Sequence, residues 1–122
     1  MVTASNSAQT EAVLGHHLQA FGAQDVDEIL KDFTNDSVLL TPDGPARGLI
    51  QIRGVFEQLL QAIPQSAFES FQMLQQQIEG DVAYIAWSMG DFAPIGTDTF
   101  VVRNGKIVVQ TFAAYIPSLQ QS

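Results

Sequence analysis

Two side chains in this sequence are placed to handle a proton away from bulk water. The first is Asp98, inside "GTDTFVVRNGKIVVQTF", residues 96–112, which reads as two strands around a tight turn. The inward positions of such a pair should be apolar, so a carboxylate near the start of the first strand needs a reason. Alternation puts Phe100 and Val102 on the same strand face as Asp98. A carboxyl buried among them has a raised pKa and can serve as proton donor or as base. The same Asp can equally be a structural acceptor for a Thr or Gln across the sheet, because buried polar groups are paired.

The second is His17. Leu14, His17, Leu18 and Phe21 fall at helical spacing and form one apolar face. An imidazole there can donate from a ring nitrogen, act as a base near neutrality, or be a core histidine with a structural partner. His16 points about 100° away, toward solvent or the rim of the fold. Gln110 shares a strand face with Val108, Phe112 and Ala114 by alternation. Buried there, its amide needs a partner, either Asp98 across the hairpin or a ligand; otherwise it sits at the open end of the sheet. Tyr84 and Trp87 in "AYIAWSM" have opposite parity, so one faces in and the other out, and the pattern does not choose between them. Asp43, in "PDG", has the turn chemistry of its neighbours.

Other chemistries lack their residues. There is no cysteine, hence no disulfide, thiolate catalysis or thiolate-bound metal. The two histidines are adjacent and cannot chelate one ion from one helix face. "PDGPARG" is followed by no Lys-Ser/Thr of a phosphate loop, and no Ser sits in a nucleophile elbow. Neither a metal nor a cofactor is expected.

The elements that must position these side chains follow from periodicity. Residues 1–8 are small and polar and are expected to fray. A helix is predicted from Thr10 to Gln24, then a short one from Val26 to Phe33, with Asp25 and Glu28 as a capping box. "VLL" is a short strand that ends at the turn-rich "TPDGP". A third helix runs from Gly48 to Ile63 and stops at Pro64. Residues 67–78 alternate loosely, 82–89 are strongly strand-like, and "GDFAPIG" reads as a loop. "TDTFVVR" and "KIVVQTFAAYI" form a hairpin about Asn104-Gly105. Three helices followed by antiparallel strands make an α+β domain with helices on one face of a curved sheet.

Composition bounds the partners. The 122 residues are 46% apolar, enough for a core, and carry a formal charge of −8. Such a chain repels phosphates, so neither nucleic acid nor an anionic membrane is an expected partner. The start has no basic or apolar leader segment, and no apolar run approaches the ~18 residues of a membrane span. The expectation is one soluble, cytoplasmic domain over residues 1–122.

Three stretches, "AFGAQDVDEILKDFTNDSVLLTPDGPARG", "VAYIAWSM" and "GTDTFVVRNGKIVVQTFAAYI", resemble the nuclear transport factor 2-like superfamily, the cystatin-like α+β cones. Within it the chain is similar to the SnoaL-like and ketosteroid isomerase-like branch, over roughly residues 10–117. The resemblance implies three helices packed in the concave face of a strongly curved sheet, with a conical cavity between them. It implies a small hydrophobic or carbonyl-containing ligand, chemistry without a cofactor, and a homodimer through the outer face of the sheet. It does not imply one reaction, because members include isomerases, cyclases, hydrolases and non-catalytic proteins.

By that resemblance Asp98 matches a carboxyl that the isomerases keep protonated to hold an oxyanion. His17 matches a Tyr that shares this role. The pair is thus the candidate catalytic set. Thr41, Tyr84, Trp87, Gln110 and Phe112 are the candidate ligand contacts. Thr41 is also a departure, because it stands before Pro42 where the isomerases have their basic Asp, and a hydroxyl cannot shuttle that proton. Epoxide hydrolase-like members need an Arg two residues before the pocket Asp, where this chain has Gly96. The rival implication is an interaction domain whose polar interior groups satisfy one another. A cavity of ~300 Å³ or more would favour a ligand.

Overall fold

The computed structural model describes residues 2–120, with side chains from 6 to 118. Helix α1 spans Val2–Gly22 and α2 spans Val26–Leu30. Met1 lies outside the described residues, and from Val2 onward the fraying expected of residues 1–8 is replaced by helix. The cause is a docked turn: Gly80 N–H donates to Ser7 Oγ at 3.0 Å, and Thr10 Oγ1 donates to Gly80 O at 2.7 Å. Asp25 caps α2 by accepting from the Glu28 N–H. The reciprocal half of the capping box does not form, because the Glu28 carboxylate is taken by His16 and Lys31.

Strand β1 (Val38–Thr41) turns at Pro42 and Asp43 into β2 (Gly44–Arg47). The sequence suggested only a turn here. Pro45 removes a ladder donor, and that is tolerated because β2 lies at the sheet edge. Helix α3 (Gly48–Ala62) buries Ile52 and Phe56, and a short α4 (Gln65–Glu69) follows Pro64. Then come β3 (Phe71–Glu79), β4 (Val82–Met89), β5 (Ala93–Arg103), β6 (Lys106–Tyr115) and a last turn of helix, α5 (Pro117–Gln120). Residues 67–69 thus belong to a helix, and 93–96 extend β5 into the expected loop.

The six strands form one open sheet in the order β2-β1-β6-β5-β4-β3. Only the β1–β6 pair is parallel. Asn104 and Gly105 turn the β5–β6 hairpin with φ of 52° and 75°, the pair of left-handed residues that a type I′ turn requires. Val101 pairs with Val109 but Val102 pairs with Ile107, so Val108 is an extra, bulged residue. The bulge reverses the phase of β6: Ile107 and Gln110 face in, and Val108 does not share the face of Gln110 as simple alternation suggested. Leu14, Ile29, Leu39, Ile52, Phe100 and Val102 fill the layer between helices and sheet.

The outer face of the sheet differs in kind. One row across five strands reads Leu40, Thr111, Thr99, Tyr84, Gln77. The charges on the four strands β1, β4, β5 and β6 are the inward Asp98 and Arg103 and Lys106 at the hairpin end.

Candidate functional site

Three adjacent strands and one helix aim polar atoms at the same interior space. Trp87 comes from β4, Asp98 from β5, Gln110 and Phe112 from β6, and His17 from α1. Trp87 is opposite Gly96, and a Cβ on Gly96 would stand 2.2 Å from the indole. The missing side chain lets the indole lie flat across β5 and reach Asp98. Trp87 Nε1–H donates to Asp98 Oδ1 at 2.8 Å, and Gln110 Nε2–H donates to Oδ2 at 2.8 Å. The indole is also stacked on Phe112, 6.3 Å between ring centres and 10° between planes, and on Phe71, at 6.3 Å and 30°.

Asp98 is 7% exposed. Burial pushes its pKa up to about 6, and the two N–H donors hold it from rising further. No Lys or Arg lines the space around it. The carboxylate is therefore hydrogen-bonded but carries no counter-charge.

His17 is 4% exposed and lies between the rings of Phe33, Phe56 and Phe100, at 5.2–6.1 Å and steep angles. Burial, with a smaller push from His16, takes its pKa down to about 4, so the imidazole is neutral at pH 7. Its Nδ1 has no hydrogen-bond partner, nor has Oε1 of Gln110. Both residues line a cavity of about 100 Å³, partly open at one end. Its other walls are apolar, from Phe21, Phe56, Met89, Phe92 and Phe100 among others.

Sequence reading placed Asp98, His17, Thr41, Tyr84, Trp87, Gln110 and Phe112 at this site, with one of the two aromatics to face in, and the cavity wall holds Asp98, His17, Gln110, Phe112 and Trp87. Tyr84 faces outward, in the row with Thr99 and Thr111, and is not a cavity residue. Thr41 is not one either. Its hydroxyl donates to Gly44 O at 2.9 Å and accepts from the Asp43 N–H at 3.1 Å, so it closes the β1–β2 turn. The cavity falls short of the ~300 Å³ that favours a drug-sized ligand. Sequence reading missed Phe56 and Phe71 as wall residues, and Gly96 as the bed for Trp87. A glycine within a strand pattern was the available signal for the last.

His16 is part of a different cluster. Its Nδ1 meets both Asp32 oxygens at 2.9 and 2.7 Å, and its Nε2 meets Glu28 Oε1 at 2.9 Å. With an acceptor at each ring nitrogen, both nitrogens must donate, and these hydrogen bonds raise the pKa. Asp32 has its own pKa raised, because burial outweighs the His16 bonds. Among the described residues no three metal-ligating side chains converge on one point, and no helix is long and apolar enough to cross a membrane.

Helices laid in the concave face of an open, curved sheet, with a cavity between them, define an α+β cone of the nuclear transport factor 2-like kind. The family model for the SnoaL-like domain matches residues 14–110, and the chain belongs to that family. Similar solved structures include an NTF-2 like protein of unknown function from Burkholderia xenovorans, with a TM-score of 0.73 and 20% identity, covering 92% of this chain and 87% of that one. A proposed polyketide cyclase from Sinorhizobium meliloti gives a TM-score of 0.69 at 18% identity, with 84% of this chain and 94% of that one covered. A de novo designed protein with a curved β-sheet gives 0.73 at 16% identity, covering 93% and 89%. At these identities the likeness shows the fold alone, and a fold does not by itself specify an activity. A search of curated protein sequences finds no match.

Proposed function

We propose that this chain binds a small, mainly apolar molecule, about the size of one ring, in the cavity between α1, α3 and the sheet. One observation carries this reading: two buried polar atoms, His17 Nδ1 and Gln110 Oε1, have no protein partner, and both residues line the same cavity. An orphaned buried polar group costs about 1–3 kcal/mol. A self-satisfied interior would have paired them. The volume of about 100 Å³ suits one ring and not a steroid or a polyketide; an engineered apolar cavity of about 150 Å³ takes up benzene. His17 and Gln110 touch the ligand, Trp87 and Phe112 are its aromatic wall, and Asp98 fixes Trp87 and Gln110. The test is a thermal-shift series over benzene, toluene, naphthalene and a steroid. One-ring probes should raise Tm and the steroid should not. No shift with any one-ring probe sinks the reading.

One observation favours chemistry at the same site: Asp98, with a pKa of about 6, is a base of useful strength inside an apolar wall. Cofactor-free proton transfer on an enolisable one-ring ketone, of the kind a cyclase or isomerase performs, would use Asp98, with neutral His17 as donor. Deuterium uptake by such a ketone in D2O, followed by NMR, should exceed buffer and should disappear in Asp98→Asn. Equal uptake in both proteins leaves binding alone.

We also infer that two copies pair through the outer face of the sheet. Two chains of −8 repel each other wherever their acidic surfaces meet. The row from Leu40 to Gln77 is uncharged, and Leu40 and Val82 on this face are 42% and 40% exposed. Light scattering behind size exclusion should give twice the chain mass, and Tyr84→Glu should return it to monomer. A monomeric wild type refutes the pairing.

A further inference from the structure

The polar end of the cavity is unbalanced in a specific way. Gln110 presents its amide N–H to the Asp98 carboxylate, so its oxygen is the end left without a partner. Asp98 is a carboxylate with no Lys or Arg along the cavity wall. His17 is neutral at pH 7 and its Nδ1 has no partner; with the ring proton on Nε2, Nδ1 is an acceptor. Gln110 Oε1 is short of a donor and Asp98 of positive charge, and His17 Nδ1 joins them as an acceptor when the ring proton is on Nε2. His17 and Asp98 are the titratable side chains among the lining residues, so nothing else in the wall brings a positive charge, and the indole N–H of Trp87 is already taken by Asp98. The remaining wall is aromatic on several sides, with Phe56, Phe100, Phe112 and Trp87, and aromatic faces attract cations.

Resting on the ring-binding reading above, we propose that the ligand class is a small primary amine on a one-ring apolar body, bound as the ammonium. Its N–H groups donate to Gln110 Oε1 and His17 Nδ1, its charge offsets Asp98, and its ring fills the aromatic part of the cavity. A ketone or aldehyde is the weaker partner in this state, because its oxygen cannot pair with the Gln110 oxygen and finds a donor only in the Nε2–H of His17. The amide of Gln110 is also the selector. Once Asp98 carries a proton, or becomes Asn, it donates to Gln110 Oε1; the amide turns over, and its NH2 faces the cavity. The site then prefers an acceptor.

Trp87 is the sole tryptophan and its indole N–H is bonded to Asp98, so its fluorescence reads the site directly. The experiment titrates that signal with benzylamine, benzyl alcohol and benzaldehyde at pH 7.5 and 0.3 M NaCl, salt enough to screen the acidic surface. Benzylamine should bind at least about tenfold tighter than benzaldehyde, the scale of one charge-assisted hydrogen bond. In Asp98→Asn that order should reverse. In the wild-type protein, benzylamine affinity should fall toward tenfold per pH unit below about 6, while benzyl alcohol changes little. This second arm needs no variant. Equal affinity for amine and aldehyde, or an amine affinity flat from pH 7.5 to 4.5, overturns the amine assignment. Binding of the alcohol or aldehyde alone overturns it too and leaves ring binding standing. No response to any of the three overturns both.

Discussion

His16 and His17 are neighbours in sequence and opposites in state. His16 sits on the polar side of α1, with a carboxylate at each ring nitrogen, and holds its proton. His17 points between three phenylalanines with an unbonded Nδ1 and does not take a proton until about pH 4. One step of 100° around a helix separates them. The first belongs to a clamp in which every donor meets an acceptor and which joins α1 to α2. The second belongs to a region where packing is close but hydrogen bonding is incomplete. Stability is concentrated in groups that satisfy one another, and the unfinished region is where a ligand has something to contribute. Two-dimensional NMR should show the contrast directly: one imidazole titrating above 6.5, the other unchanged until about pH 4. Two superimposed titrations would erase it.

The largest effect should come from Gly96→Ala. The new Cβ would stand 2.2 Å from Cζ2 of Trp87, far inside contact distance. Trp87 must move, losing its bond to Asp98 and its stack on Phe112. Overpacking of this kind costs about 1–3 kcal/mol, and a stranded Asp98 adds to it, so a loss of about 3 kcal/mol or more is expected in urea unfolding. The His16 resonance should be unmoved, because the clamp lies on the far side of α1. A loss below 1 kcal/mol would mean that the indole is not held as described.

A comparable effect is hidden in the wild type and appears on acidification. His17 has a folded pKa below its unfolded value, so its contribution is present above pH 6.5 and lost as pH falls through about 4. Asp98 has a folded pKa above its unfolded value, so its contribution is present below pH 3.8 and lost as pH rises through about 6. Each amounts to about 3 kcal/mol over that window, and the signs oppose. These two contributions should therefore nearly cancel in the wild type between pH 7 and 4. Asp98→Asn should lose about 3 kcal/mol more than wild type over that range, and His17→Leu should lose less or gain. Parallel pH curves for the three proteins would show that the two groups do not titrate in the folded state as assigned.

Much of this was readable from residues alone, and the failures share a cause. The helices, β4 and the Asn104-Gly105 hairpin follow from period and turn chemistry, which are local. So does the inward aim of Asp98, because Phe100 and Val102 alternate with it. What could not be read depends on the third dimension. Tyr84 and Trp87 differ in parity, but β4 is apolar on both faces, so nothing local chooses the inner one. The bulge at Val108 reverses a strand's phase without a Gly or Pro to announce it. Thr41 matched a catalytic slot by position, yet its hydroxyl is held by the turn. The cavity's small size is set by how rings from α1, α3 and the sheet meet, and no spacing in the chain encodes that.

A smaller effect, of opposite sign, is expected from His17→Leu at pH 7. It removes a buried polar atom with no partner and keeps a side chain of similar bulk among Phe33, Phe56 and Phe100. The variant should gain about 1 kcal/mol in urea unfolding and lose probe binding. Gained stability with lost binding is the signature of a functional residue, whereas loss of both would mean that the imidazole is a structural part of the core.

The smallest effect is at the clamp. His16→Gln keeps a hydrogen-bonding side chain but cannot carry a proton's charge between Glu28 and Asp32. Because the site is more than a third open to solvent, screening limits the loss to about 0.5 kcal/mol. Its sign with pH is the useful part. The folded pKa of His16 is raised, so its contribution is complete below the unfolded value near 6.5 and fades as pH rises through the folded one. The Tm difference between wild type and variant should thus be present at pH 6 and absent at pH 9, the reverse of the order seen when His17 is changed. A difference that persists at pH 9 would place the contribution of His16 in packing, and the two neighbours would then differ in burial without differing in how they use their protons.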